Sequence, residues 1–232
     1  MKTILFDFGG TLDTDGIHWS ELFWETYVHF HIPVTKENLR QAFIYSERKI
    51  VNIIKPEFNL KQTLEKQLFY QLEYLQNNFF LPSYFSFIVY ELSEYCYRHV
   101  ITTIIKSKEL LENLKPQYSL GIISNYYGNL ETVLQELSLK KYFSSVIDSA
   151  KLGVRKPNEQ IFKTALNDLA ADPKETIMIG DSYENDIIPA KAIGCFTVWV
   201  QSKGWNAPPD NDSADYKIDS ITKLPELLES LN

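Results

Sequence analysis

Apolar positions recur along this chain in two different rhythms. Residues 3–7 (TILFD) form a short apolar run that closes on an acid and is followed by two glycines, the pattern of a buried strand entering a tight loop. From about residue 17 to residue 104 the spacing becomes helical and strand signals vanish. Within LKQTLEKQLFYQLEYLQ, the residues Leu60, Leu64, Leu68, Leu72 and Leu75 make one apolar stripe. Pro33, Pro56 and Pro82 fall where helices break, so this block predicts about four helices. From about residue 105 helix and strand alternate. SKELLENLK reads as a helix, YSLGIIS as a buried strand, GNLETVLQELSL as a helix and SSVIDS as a short strand. PNEQIFKTALNDLA predicts a helix with Pro157 in its first turn, TIMIGD a strand, ENDIIPAKAIG a helix and CFTVWV a strand. A short strand near Tyr216 to Ile218 and a helix over 225–231 close the chain.

Strands alternating with helices of this length predict an α/β fold, a Rossmann-like three-layer core whose parallel sheet is covered on both faces. The first strand belongs to that sheet, which makes the helical block an insertion. The expected division is therefore a discontinuous core of residues 1–16 and 105–232, with residues 17–104 inserted as a helical unit. At 232 residues the chain is long enough for a sizeable core carrying a smaller second unit. The net charge of −7 lacks the basic surplus of a general nucleic-acid binder, so an anionic ligand has to be met by locally concentrated positive charge. Cys96 and Cys195 stand far apart in no metal-ligand spacing and read as buried free thiols. The N-terminal apolar run is too short for a signal peptide, and no run approaches the roughly 20 residues of a membrane span. A cytoplasmic protein, monomeric or homodimeric, is the expectation.

In a doubly wound sheet, sites form beyond the carboxyl ends of the strands near the point where strand order reverses. Strand ends here supply Asp7, Ser124 and Asp181; Lys156 precedes the helix after the third strand, and Asp186 follows the Asp181 loop. Three acids suit a hard divalent cation such as Mg²⁺, a serine hydroxyl suits a phosphoryl oxygen, and a lysine adds fixed positive charge. A carboxylate nucleophile splits one hydrolysis into two displacements. Gly9 and Gly10 suit a tight turn needing positive φ, which would turn their backbone amides toward a phosphate, and Asp15-Gly16 is a hairpin-turn signal.

DFGGTLD, the run ending in Ser124-Asn125, Lys156-Pro157 and GDSYENDI resemble, in order and spacing, the four motifs of the haloacid dehalogenase superfamily. The resemblance implies a helical cap in the inserted block, Asp7 as nucleophile with Lys156 at the catalytic centre, and a small phosphorylated substrate. It further implies phosphate or substrate contacts at Gly9, Gly10, Thr11, Ser124, Asn125 and Lys156. The magnesium site would be built from Asp7, the Gly9 carbonyl, Asp181 and Asp186. Phosphatases of that family usually carry a second aspartate two residues after the nucleophile, as acid for the leaving group and base for water; this chain has Gly9. Loss of such a group costs on the order of 10²–10⁴ in rate, most for poor leaving groups.

Asp13 and Asp15 are read as turn residues rather than as replacements. His18, which would titrate near pH 6.5 if unperturbed, is the histidine placed to substitute for the acid. Trp19, Phe23, Trp24, Tyr27 and Phe30 are expected mainly as packing inside the helical block, with Arg48 or Lys49 as contacts for a second anionic group. The expected function is a Mg²⁺-dependent phosphohydrolase acting on a small metabolite through an aspartyl phosphate. The rivals are a phosphate-ligand binding or regulatory protein with impaired turnover, and a phosphonatase-type C–P hydrolase using Lys49 or Lys55 in a Schiff base. Retention of the Asp181/Asp186 pair disfavours metal-free dehalogenation.

Overall fold

Thr3–Phe6, buried at every position, forms β1 near the middle of a six-stranded sheet. A continuous apolar run is what a parallel strand covered on both faces requires. In this computed structural model, which describes residues 1–201, 204 and 213–230, the strand order is β3-β2-β1-β4-β5-β6 and every pairing is parallel. The other strands are β2 (Ser119–Ser124), β3 (Ser145–Asp148), β4 (Thr176–Gly180), β5 (Phe196–Val200) and β6 (Tyr216–Ile218). Strand order reverses between β1 and β4, which places a crevice beyond their carboxyl ends.

Four helices lie between β1 and β2: α1 (Trp19–His29), α2 (Lys36–Ile50), α3 (Leu60–Phe79) and α4 (Val89–Leu114). Each of the first three starts at a side-chain cap, with His18, Thr35 and Asn59 accepting an amide of the first turn; Asn59 and Gln62 complete a reciprocal capping box. The leucine stripe of α3 is buried along its whole length, against α2 on one side and α4 on the other. The predicted helix over 107–115 is not a separate element. No glycine or proline interrupts residues 89–114, and α4 runs straight through position 105, ending under the sheet with Leu110, Leu111 and Leu114 in the core. Ser107 donates to the Leu12 carbonyl at 2.6 Å and ties the helix to the loop after β1.

The remaining helices are α5 (Leu130–Glu136), α6 (Ser149–Leu152), α7 (Glu159–Asp168), α8 (Ile188–Ala192) and α9 (Leu224–Ser230); position 231 of the last predicted helix lies outside the described residues. Pro157 is not in the first turn of α7, which begins two residues later with Asn158 as its cap. Alternation along β1 divides the core: Ile4 and Phe6 join the cluster reaching α4, whereas Leu5 packs with Ile123, Met178 and Phe162 beneath α7. The sheet is thus covered on both faces, the three-layer arrangement expected from the alternating pattern. Both cysteines are buried and unpaired, and burial pushes each thiol up to about 12. No helix among the described residues is long and apolar enough to cross a membrane.

Candidate active site

β1 and β4 end side by side, Phe6 opposite Ile179, so Asp7, one residue further, and Asp181, two residues further, come to the same end of the sheet. The turn over 183–187 returns Asp186 to them, and carboxylate oxygens of Asp7, Asp181 and Asp186 all lie within 4.8 Å of one another. All three acids are buried. Two glycines make this crowding possible. A Cβ on Gly180 would sit 2.4 Å from Asp186 Oδ2, and one on Gly10, whose φ is +97°, 2.4 Å from Asp181 Oδ2. Trp199 donates its indole N–H to the Asp181 carbonyl at 2.9 Å and pins the loop after β4.

Lys156 reaches the acids from the segment before α7. Its ammonium donates to Asp7 Oδ1 and Asp186 Oδ1, both at 2.6 Å, and to the Ile123 carbonyl at 3.1 Å, which engages all three protons. The two carboxylates overcome the cost of burying this cation and raise its pKa above the usual lysine range. One lysine cannot balance three buried carboxylates. Burial, Asp7 and Asp186 push Asp181 well above the ordinary carboxylate range, and burial pushes Asp186 up to about 6 despite Lys156. A donor set of hard, clustered, under-compensated oxygens fits a divalent cation of the Mg²⁺ type, held by Asp7, Asp181 and Asp186 with the neighbouring Gly9 carbonyl as a backbone candidate.

A cavity of about 170 Å³ opens over this floor. Asp7, Gly9, Ser124, Asn125, Lys156, Asp181 and Asp186 line it, so most of the residues expected at the site meet there. Several do something other than touch a phosphate. Asn125 Nδ2 donates to the Lys156 carbonyl at 3.0 Å and its Oδ1 accepts the Lys156 amide at 2.8 Å, so its amide group fixes the lysine's backbone. Thr11 is fully buried, its hydroxyl within 3.5 Å of Asp7 and Asp181. The Gly10 amide does not face the cavity; it donates at 2.8 Å to Asp13.

Asp13 stands in a turn, as expected, but its side chain does more than a turn requires. Its carboxyl group is almost wholly buried and accepts the Gly10 amide at one oxygen and the Trp19 indole N–H, at 2.9 Å, at the other. Burial outweighs these bonds and raises its pKa to about 7, with Asp7 adding to the rise. Trp19 stands over Gly9: a Cβ there would lie 3.5 Å from the indole nitrogen and 4.0 Å from Asp13 Oδ2. A Cβ at position 9 would thus be in ordinary van der Waals contact with the indole. Asp13 does not line the cavity, whereas His18 does. His18 Nδ1 meets the Ser20 hydroxyl at 2.6 Å and the Ser20 amide at 3.2 Å, and burial lowers the His18 pKa, so near neutral pH the imidazole is uncharged and a poor proton source. Asp15 does serve as a turn residue, with φ of 53°, and its carboxylate caps the Ile221 amide at 2.8 Å.

The upper wall departs from expectation. Arg48 and Lys49 are exposed and do not line the cavity; one helical turn after Phe43 it is Glu47 that does. Lys49 and Lys55 both face away, and Lys156 is the sole lysine lining the cavity among the described residues, which removes the support for a Schiff-base mechanism. Gln67 and Tyr127, beside Glu47 on that wall, carried no sequence signal, since neither stands in a motif nor at a strand end.

A family model for haloacid dehalogenase-like hydrolases matches residues 4–200. The chain belongs to that family. Among characterised relatives, it is 40% identical over 126 residues to the glyceraldehyde 3-phosphate phosphatase of Pyrococcus furiosus, a match covering 53% of this chain and 52% of that protein. It is 29% identical over 131 residues to a pyrimidine 5′-nucleotidase of Escherichia coli, covering 56% and 58%. The chain thus spans about half the length of the curated relatives it matches. Solved structures share the fold over nearly the whole chain: a phosphatase from Thermococcus onnurineus at 23% identity (TM-score 0.58, 98% of each chain) and an L-2-haloacid dehalogenase at 14% (TM-score 0.66, 99% of each).

Proposed function

We propose that this protein is a Mg²⁺-dependent phosphohydrolase of small phosphorylated metabolites, with Asp7 as nucleophile and helices α1–α4 as a cap over the site. The observation that carries the reading is the Asp7 carboxylate, held by Lys156 beside Asp181 and Asp186 at the floor of a small cavity on the switch point of the sheet. The phosphatase names of its relatives support the same class of reaction. When bound, the metal ion supplies positive charge for the phosphoryl oxygens.

Asp7 forms a bond to phosphorus through a carboxylate oxygen, the ester P–O bond breaks, and its electron pair leaves with the departing oxygen. Lys156 exchanges one of its present acceptors for a phosphoryl oxygen, and the Ser124 hydroxyl orients another. Water then attacks the aspartyl phosphate; the bond to Asp7 breaks, its carboxylate is restored and orthophosphate leaves with the water's oxygen. Gly9 supplies no proton in the first step, and the Trp19–Asp13 pair stands where such a donor would reach. Rates therefore fall steeply as the leaving group becomes more basic.

The test is magnesium-dependent phosphate release across a metabolite panel that includes acetyl phosphate, with Asp7→Asn as control. Loss of at least about 10³-fold in the variant is expected. Undiminished release would overturn the mechanism. The indole over Gly9 favours a second reading, a phosphate-binding protein with impaired turnover; magnesium-dependent retention of beryllofluoride with no turnover of acetyl phosphate would select it.

A further inference from the structure

One wall of the cavity is built jointly by two cap helices and the loop after β2. Glu47 comes from α2, Gln67 from α3 and Tyr127 from the loop three residues past Ser124. Tyr127 donates its hydroxyl proton to Glu47 Oε1 at 2.7 Å, Gln67 Nε2 donates to the Tyr127 oxygen at 2.9 Å, and Gln67 donates also to Glu47 Oε1. Burial raises the Glu47 pKa and is the largest effect; the Tyr127 and Gln67 donors and the nearby Arg155 charge oppose it. This closed triangle occupies Oε1 alone. Glu47 Oε2 has no hydrogen-bond partner among the described residues, although Glu47 lines the cavity.

The surrounding charges sharpen the point. Lys156 is the sole lysine or arginine lining the cavity among the described residues, and its protons are engaged at the acid cluster. Phe43, Leu64 and Tyr126 supply apolar surface beside Glu47. A second anionic group on a substrate would meet Glu47 there and no cation among the lining residues; Arg155, whose charge is felt by Glu47 and Tyr127, is exposed and does not line the cavity. A hydroxyl or ammonium group would meet an unused acceptor whose position is already fixed, so little side-chain freedom is lost on binding.

Resting on the phosphohydrolase reading above, we infer that Glu47, positioned by Tyr127 and Gln67, selects the leaving group: a small alcohol that bears hydroxyl or amino donors and no second anionic charge. Glu47 is then the specificity residue, and Tyr127 a positioning residue that also links the cap to the core.

Three primary alkyl phosphates matched in the reacting ester test this: glycerol 3-phosphate, phosphoethanolamine and 3-phosphoglycerate. The wild-type protein is expected to prefer each of the first two over the third by at least about tenfold in kcat/KM. In Glu47→Gln that ratio should fall at least about fivefold, carried mainly by KM, and in Tyr127→Phe by a smaller factor. A merely structural role would lower all three substrates in proportion and leave the ratio unchanged, which would overturn the inference, as would a wild-type preference for the anionic ester. The ratio of the first two separates hydroxyl from ammonium recognition. If acetyl phosphate and all three esters stay intact, the catalytic reading has failed. The affinities of the same esters in the presence of Mg²⁺ then decide on Glu47: the same ranking in the wild type, weakened in Glu47→Gln, sustains it, and equal affinities reject it.

Discussion

At position 9, where there is no side chain, the neighbouring indole of Trp19 sets the surroundings. Without a carboxylate there, the Trp19 indole closes over the backbone and hands its N–H to Asp13, 3.5 Å from where a Cβ would begin. Gly9→Asp alone is expected to gain little on alkyl phosphates, since its carboxylate has to find room beside the Trp19 ring. In the Trp19→Ala background the space is free, and Gly9→Asp should raise phosphate release from glycerol 3-phosphate about 10²-fold over Trp19→Ala alone, the lower end of what a positioned general acid contributes. No gain in that background would mean that proton transfer does not limit the reaction. The four motifs were legible because each closes an apolar strand or opens a helix. The Asp13–Trp19 bond was not, because six residues separate the partners and only the turn at Asp15 and Gly16 brings them together. Asp148 shows the opposite limit: it too ends a strand, but β2 and β1 stand between β3 and β4, and its carboxylate caps the Gly128, Leu130 and Ala150 amides away from the cavity.

At the scale of elements, the apolar stripe of α3 could be read directly, since a leucine every three or four residues has one structural solution. Leu68 lies midway along it and is fully buried. Leu68→Ala is expected to cost about 2–5 kcal/mol, measured as a lowered denaturant midpoint at unchanged slope. A cost well below 1 kcal/mol would show that the helical block is loosely packed. The facing of α2 could not be read in the same way. Glu47, Arg48 and Lys49 are consecutive charged residues, and which one turns inward is set by the rotation of α2 against α3, fixed by Leu39, Ala42, Ser46 and Ile50. Similarly, the spacing pattern changes near residue 105, whereas α4 carries one unbroken backbone across that position. Pattern changes mark a change of packing partner, not a break in hydrogen bonding.

At the scale of the whole molecule, an acidic chain concentrates part of its negative charge where it is buried, and this couples stability to pH and to metal. In the metal-free protein the carboxyl groups of Asp13 and Asp186 are pushed up to about 7 and about 6, and Asp181 is raised as well. In the unfolded chain they titrate near the ordinary value of about 3.9. Between these limits the folded state holds more protons than the unfolded one, so the contribution of these groups to stability is fully present below about pH 4 and is lost as pH rises toward 7. A divalent cation held among these acids is expected to reverse the trend. It binds the ionised acids and competes with protons, so its stabilisation, RT ln(1 + [Mg²⁺]/Kd), grows as pH rises. Thermal denaturation at pH 5.0 and 7.5, with EDTA or with 10 mM Mg²⁺, a concentration on the order of that needed to saturate a weak site, tests the coupling. The expected result is a small magnesium shift at the lower pH and a shift of several degrees at the higher one, abolished by Asp181→Asn. A shift that is equal at both pH values, or that survives the substitution, would place the cation somewhere other than among Asp7, Asp181 and Asp186.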